Sequence, residues 1–235
     1  MKAYFVTGTD TGVGKTTVSM ALLAVASRRG LRAGGMKPIE SGCSRTSAGE
    51  LVPADALALA RVSNLQLDLT KLCLYRFEES MAPGVAADDR GTVLDFARVV
   101  ASYQTLLAEK PDLVLVEGAG GLLVPLGQGR TIADLASALD LPLLIVARPG
   151  LGTINHTGLT VEVARGRGLH IAGVIFSYRV PDRDPLLASN ANEIERGARV
   201  PYLGCLPHVP VMQSDALADA AERALDCDVL LRTSV

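Results

Sequence analysis

Apolar positions along the chain switch between two periods. Ala3 to Thr7 is a short β-rich run, and the loop after it is rich in glycine. From Lys15 to Arg29 apolar residues recur at helical spacing (Val18, Leu22, Val25, Ala26), and the pattern stops at Gly30. Arg32 to Met36 reads as a second strand closed by Pro38, and Ala54 to Val62 as a short helix with Pro53 near its first turn. Val93 to Leu107 is amphipathic and helical. Asp112 to Val116 is a continuous apolar run between Pro111 and Gly118. Such a run marks a central parallel strand covered on both faces. Thr131 to Leu139 predicts a helix, Leu143 to Ala147 a buried strand, and Asn155 to Arg167 a helix ending at Gly168. Ile171 to Phe176 predicts a strand, Leu186 to Arg196 a helix, Tyr202 to Gly204 a short strand and Asp215 to Leu225 a last helix. Strands alternating with helices predict a doubly wound, mostly parallel sheet in a three-layer α/β fold. No linker interrupts it, so residues 1–235 read as one domain. Leu65 to Thr92 shows no clear period.

Composition narrows the chemistry. The chain has 235 residues, 23 basic and 25 acidic, for a net charge of −2. That balance exerts no general pull on nucleic acid or anionic lipid. Aromatic residues are 4% and Trp is absent, which argues against base-stacking platforms. Cys43, Cys73, Cys205 and Cys227 are widely spaced, as are His156 and His170, so no zinc-type cluster is legible. The apolar runs at Ala3–Val6 and Leu141–Ala147 are too short for a signal-peptide core or a membrane span. The expected location is the cytoplasm.

The most pointed segment is Gly8-Thr9-Asp10-Thr11-Gly12-Val13-Gly14-Lys15-Thr16-Thr17, between a predicted strand and a predicted helix. Successive backbone N–H groups and a helix N-terminus there suit anionic oxygens. Lys15 would reach the β- and γ-phosphates, and the Thr16 hydroxyl would ligate Mg²⁺. The general pattern has four residues between its first Gly and Gly-Lys-Thr, whereas five separate Gly8 from Gly14. A dinucleotide fingerprint fails, because Gly12-x-Gly14 is followed by Thr17 where glycine is required.

Three other charged residues sit near strand ends, where open α/β sheets bind ligands. Lys37 closes the second strand, a place that suits a crevice lysine or an exposed one equally. Asp55 fits an ordinary first-turn acid. Glu117 directly follows a buried strand and precedes Gly118-Ala119-Gly120-Gly121, the place of a magnesium acid or a turn acid. Gly150 to His156 leads into a helix whose open N–H groups suit a carboxylate, a phosphate or only water. No nucleophile elbow or Ser-His-Asp order is present.

Together these segments resemble the dethiobiotin synthases: Tyr4-Phe5-Val6-Thr7-Gly8-Thr9-Asp10-Thr11 with Val13-Gly14-Lys15-Thr16, Lys37-Pro38 with Ser41-Gly42, Asp55-Ala56-Leu57, Val116 to Gly121, and Leu151-Gly152 with Ile154-Asn155-His156. The extra loop residue is typical of that family. The resemblance implies a homodimer with its active site near the interface. It implies that ATP and CO₂ (or bicarbonate) close a ureido ring on 7,8-diaminononanoate. One amine takes up CO₂ as a carbamate, ATP phosphorylates it, and the second amine displaces phosphate. The resemblance assigns Lys15 and Lys37 to catalysis and Thr16, Asp55 and Glu117 to Mg²⁺. Nucleotide contacts fall on Gly12, Val13, Gly14, Lys15, Thr16, Thr17, Asp55, Glu117, Gly118, Ala119, Gly120, Ser177, Pro207, His208 and Val209. Substrate contacts fall on Thr11, Lys37 and Ser41, and on Gly152, Thr153, Ile154 and Asn155 from the other subunit.

One departure stands out. The family often has Asn, which reads the base, where this chain has Ser177, and a serine offers a single hydroxyl. Two other readings share the phosphate loop. A switch or partitioning ATPase usually carries a further lysine early in the loop, where this chain has Thr9, Asp10 and Thr11. A non-catalytic nucleotide-binding module leaves Lys37, Asp55 and Glu117 unexplained.

Overall fold

The computed structural model describes residues 1–65, 67–181, 185–210 and 213–231. β1 (Lys2–Gly8) leads into α1 (Lys15–Arg28) and β2 (Ala33–Met36). Three two-residue strands, β3 (Ile39–Glu40), β4 (Ser44–Arg45) and β5 (Leu51–Val52), precede α2 (Ala54–Val62). The stretch without a clear period holds α3 (Leu69–Leu72), β6 (Tyr75–Arg76) and α4 (Pro83–Asp89). The chain continues through α5 (Phe96–Ala108), β7 (Leu113–Glu117), α6 (Ile132–Leu139), β8 (Leu143–Ala147), α7 (Thr153–Gly166) and β9 (Ile171–Ser177). α8 (Leu187–Glu193), running into a π turn at Ile194–Ala198, β10 (Tyr202–Leu206), α9 (Ser214–Ala224) and α10 (Cys227–Leu231) complete it.

Six strands form one parallel sheet in the order β10-β9-β8-β1-β7-β2. The predicted doubly wound architecture holds. Its continuous apolar runs follow from burial on both faces. Val114 and Val116 of β7 pack into one layer with α5, α6 and α7, while Leu113 and Leu115 pack into the other with α1, α2 and α9. Strand β8 divides in the same way, Ile145 to the first layer and Val146 to the second.

Most predicted boundaries shift by one to three residues. Two helix starts moved for a visible reason. Asp95 caps α5 by accepting from the Ala97 N–H, so the helix begins at Phe96 and not at Val93. Thr131 and Asp134 form a capping box, so Thr131 stands outside α6. The small pairs β3–β6 and β4–β5 were not predicted, because two-residue strands carry no period.

The sequence order reverses around β1, with β7 and β2 on one side and β8, β9 and β10 on the other. The loop after β1 therefore opens at the crevice where such sheets bind ligands. Among the described residues no helix is long and apolar enough to cross a membrane. Burial raises the thiol pKa of Cys43 and Cys227 to about 11 and of Cys73 and Cys205 to about 12.

Helices α1 and α2 both press on β2, and Gly35 lets them. A Cβ there would lie 2.8 Å from Leu23 Cδ1 and 3.0 Å from Leu59 Cβ. Gly35→Val is expected to cost about 1–3 kcal/mol by overpacking. Urea denaturation should show a lower midpoint at unchanged slope.

Candidate functional site

The loop after β1 ends at Gly14, whose φ of 103° is a left-handed value open to glycine. Helix α1 has no side-chain cap and no acid in its first turn. Its first N–H groups therefore remain open to an anion. Lys15, the first helical residue, is buried and donates to the Asp10 carbonyl at 3.3 Å. Burial lowers its pKa, against the pull of Glu117.

Glu117 ends β7 and is fully buried. Its Oε1 accepts from Thr16 Oγ1 at 2.8 Å and from Lys37 Nζ at 2.8 Å, and its Oε2 accepts from Ser19 Oγ at 3.1 Å. Lys37 follows β2 and also donates to Asp55 Oδ2 at 2.5 Å. The lysine side chain is 7% exposed and the Asp55 side chain 42%. Burial opposes the charge on Lys37, but Glu117 and Asp55 outweigh it and raise its pKa above the ordinary lysine value. Burial likewise opposes ionisation of Asp55, and Lys37 reverses that, holding its pKa below the usual carboxylate value.

Asp55 has its own support. Pro53 precedes α2 and provides no side-chain cap. Glu40, on β3, supplies one from a distance, accepting the Asp55 N–H at 2.9 Å and the Ala56 N–H at 3.0 Å. Burial raises the Glu40 pKa, opposed by those two N–H groups.

A cleft of about 950 Å³ runs over this group. It is lined by Thr11, Gly12, Gly14, Lys15, Thr16, Thr17, Lys37, Ser41, Asp55, Glu117, Ala119 and Gly120. Val13 is buried in the apolar layer beneath the loop, and Gly118 packs so closely on Phe5 that a Cβ would lie 2.9 Å from Cε1. The remaining predicted residues lie away from the cleft lining. Gly152 to Asn155 stand where α7 begins, with Ile154 among them exposed and exposed Leu151 just before. Pro207, His208 and Val209 follow β10. Ser177 Oγ is buried without a hydrogen-bond partner and sits 2.5 Å from where a Cβ on Gly14 would lie.

Sequence reading missed three residues. Ser19 is three positions after Thr16 on α1, a spacing that puts both hydroxyls on one helix face. The missing side-chain cap at Pro53 pointed to a remote acceptor such as Glu40, without naming it. Arg179 lines the cleft and donates to Thr17 Oγ1 at 3.0 Å. It lies two residues past β9, at a carboxyl strand end.

Residues 2–216 match a family model described as an AAA domain. The chain is 49% identical over 210 residues to the "ATP-dependent dethiobiotin synthetase BioD" of Anaeromyxobacter dehalogenans (strain 2CP-C), covering 89% of this chain and 92% of that one. It is 35% identical to the protein of the same name from Thermodesulfovibrio yellowstonii, covering 98% of this chain and 99% of that one. The chain belongs to the dethiobiotin synthetase family.

Solved structures extend the likeness in fold alone. The MinC:MinD cell division protein complex of Aquifex aeolicus matches with a TM-score of 0.60 at 16% identity, over 100% of this chain and 98% of that one. A ParA family ATPase from Chlorobium tepidum TLS matches with a TM-score of 0.52 at 14% identity, over 97% and 96%. Within this family member, the charge balance at Lys37 sets a testable pH dependence. Asp55, with its lowered pKa, contributes stability above about pH 4 that is lost as pH falls through its folded value. In Lys37→Met burial acts on Asp55 against only Thr16 and Lys15, so the folded variant takes up protons more readily and gains stability as pH falls toward 5. The loss at pH 7 should be about 3–5 kcal/mol, carried by the buried Glu117 pair. The half-exposed Asp55 pair is screened and adds little. Urea denaturation at pH 7 and pH 5 should show the loss shrinking in acid.

Proposed function

We propose that this chain closes the ureido ring of dethiobiotin from 7,8-diaminononanoate, CO₂ and ATP, through a carbamate and a carbamic-phosphoric anhydride. The observation that carries the reading is one cleft holding the phosphate loop, Lys15 and a second buried lysine, Lys37. Two anions, a carbamate and a γ-phosphate, must meet in this reaction, and two ammonium groups offset their repulsion and stabilise the charge in transfer. A carbamate oxygen attacks the γ-phosphorus and ADP departs. The second amine then attacks the carbonyl carbon, and the carbon–oxygen bond to phosphate breaks. Thr11 and Ser41, both in the cleft lining, hold the reacting end of the diamine. Positioning the two reactants side by side supplies much of the rate.

Thr16, Asp55 and Glu117 are the residues that would hold Mg²⁺. Asp55 and Glu117 already hold a positive charge, the Lys37 ammonium, Thr16 is bonded to the same Glu117 oxygen, and hard oxygen donors suit a hard cation. Among the described residues no cluster of three or more His, Cys, Asp or Glu side chains forms a self-sufficient metal cage. Two carboxylates and a hydroxyl form a half-shell, as suits a cation shared with phosphate oxygens. When bound, Mg²⁺ would supply positive charge that offsets the charge on the phosphates.

The reading includes a cytoplasmic homodimer. The N-terminal turn of α7 (Gly152 to Asn155) takes the substrate carboxylate of the neighbouring subunit's site, with Ile154 in the turn and Leu151 just before it both exposed. Pro207, His208 and Val209 contact the base. The partitioning-ATPase reading shares the fold, but this chain has Thr9, Asp10 and Thr11 where such proteins usually carry an early loop lysine.

Incubation with ¹³C-bicarbonate, 7,8-diaminononanoate and Mg-ATP should produce a ureido carbonyl signal by NMR. ATP turnover by folded protein with no such signal would overturn the assignment. Lys37→Gln should lower kcat by about 10²-fold or more while changing ADP affinity less than threefold. Equal loss of ADP affinity would place Lys37 on the nucleotide.

A further inference from the structure

The sheet order divides the cleft into two flanks. Lys37, Asp55 and Glu117 reach the phosphate loop from β2, α2 and β7, on one side of β1. Arg179 reaches it from beyond β9, on the opposite side. A nucleotide whose terminal phosphate faces Lys37 and Glu117 must run its remaining length toward β9 and β10. Arg179 therefore stands at the nucleoside end of the phosphate chain.

Its local geometry is that of a clamp on the loop. The guanidinium donates to Thr17 Oγ1 at 3.0 Å, and its Cδ lies 3.4 Å from where a Cβ on Gly14 would be. Thr17 is the next residue after Thr16, in the first turn of α1, where open N–H groups face an anion. A guanidinium has five N–H donors in a planar fork, and Thr17 engages one Nη. Ser177 does not compete for the role, because its buried hydroxyl is turned onto Gly14. The end of β9 carries a serine packed against the loop and an arginine over it.

We propose that Arg179 is a nucleotide-binding residue that grips the α-phosphate, so that this chain holds its nucleotide by phosphate more than by base. The inference rests on the ATP-dependent reading of the site. It deepens that reading by naming which part of the nucleotide sets affinity on this flank. A phosphate clamp is indifferent to the base, so ADP, CDP and GDP should bind the intact protein within about tenfold of one another.

The test is competition against a fluorescent ADP, with the intact protein, Arg179→Ala and Arg179→Lys. Arg179→Ala should weaken ADP, CDP and GDP by a common factor of about tenfold or more, and Arg179→Lys should recover part of it. The side chain is exposed, and matched thermal melts will show that both variants fold. An unchanged ADP affinity in Arg179→Ala overturns the proposal. A loss confined to the purine nucleotides also overturns it, because it assigns Arg179 to stacking on the base. If the intact protein binds none of the three nucleotides, the ATP-dependent reading itself fails, and that outcome is separate from the other two.

Discussion

A lysine buried between two carboxylates organises this molecule. Taking the Lys37 ammonium out of water is unfavourable unless strong partners replace the lost hydration. Glu117, fully buried, and Asp55, at the cleft edge, provide them at 2.8 and 2.5 Å. Glu117, with no exposure, would be just as unfavourable alone. The three groups therefore enforce one another's positions, and with them the relative positions of β2, β7 and α2. The Thr16 and Ser19 hydroxyls tie the same cluster to α1. Strand ends that bring charge to the crevice are thus locked to the helix that brings the phosphate-binding N–H groups.

This arrangement prepares positive charge in a chain whose overall charge is almost balanced. Lys15 and Lys37 differ in environment. Burial lowers the pKa of Lys15, while its carboxylate partners raise that of Lys37. Phosphate oxygens reaching Lys15 would find a desolvated ammonium with few competing partners. Lys37 instead begins engaged with two acids. Glu40 adds a further layer: by capping α2 from β3 it fixes the backbone of Asp55 without entering the cleft lining.

Much of the fold was legible because burial on both faces leaves a signature in composition. β7 and β8 read as unbroken apolar runs, and their alternate residues do enter opposite layers. The phosphate loop was legible because its glycines and Gly-Lys-Thr lie consecutively between a strand and a helix. The two-residue strands and α3 escaped notice because none is long enough for its period to repeat. Asp55 alone could not be told from an ordinary first-turn acid, and Lys37 alone could not be told from an exposed lysine.

By itself the sequence determined the alternation of strands and helices, the phosphate loop and the family resemblance. These depend on neighbours in the chain, where period, turn chemistry and motif are written directly. Only the tertiary structure decided that Lys37 joins Asp55 and Glu117, that Glu40 caps a helix fifteen residues away, and that Arg179 crosses to Thr17, 162 positions earlier in the chain. Those contacts depend on which strands lie side by side. Strand order follows from packing both sheet faces at once, a constraint that no local stretch of residues contains.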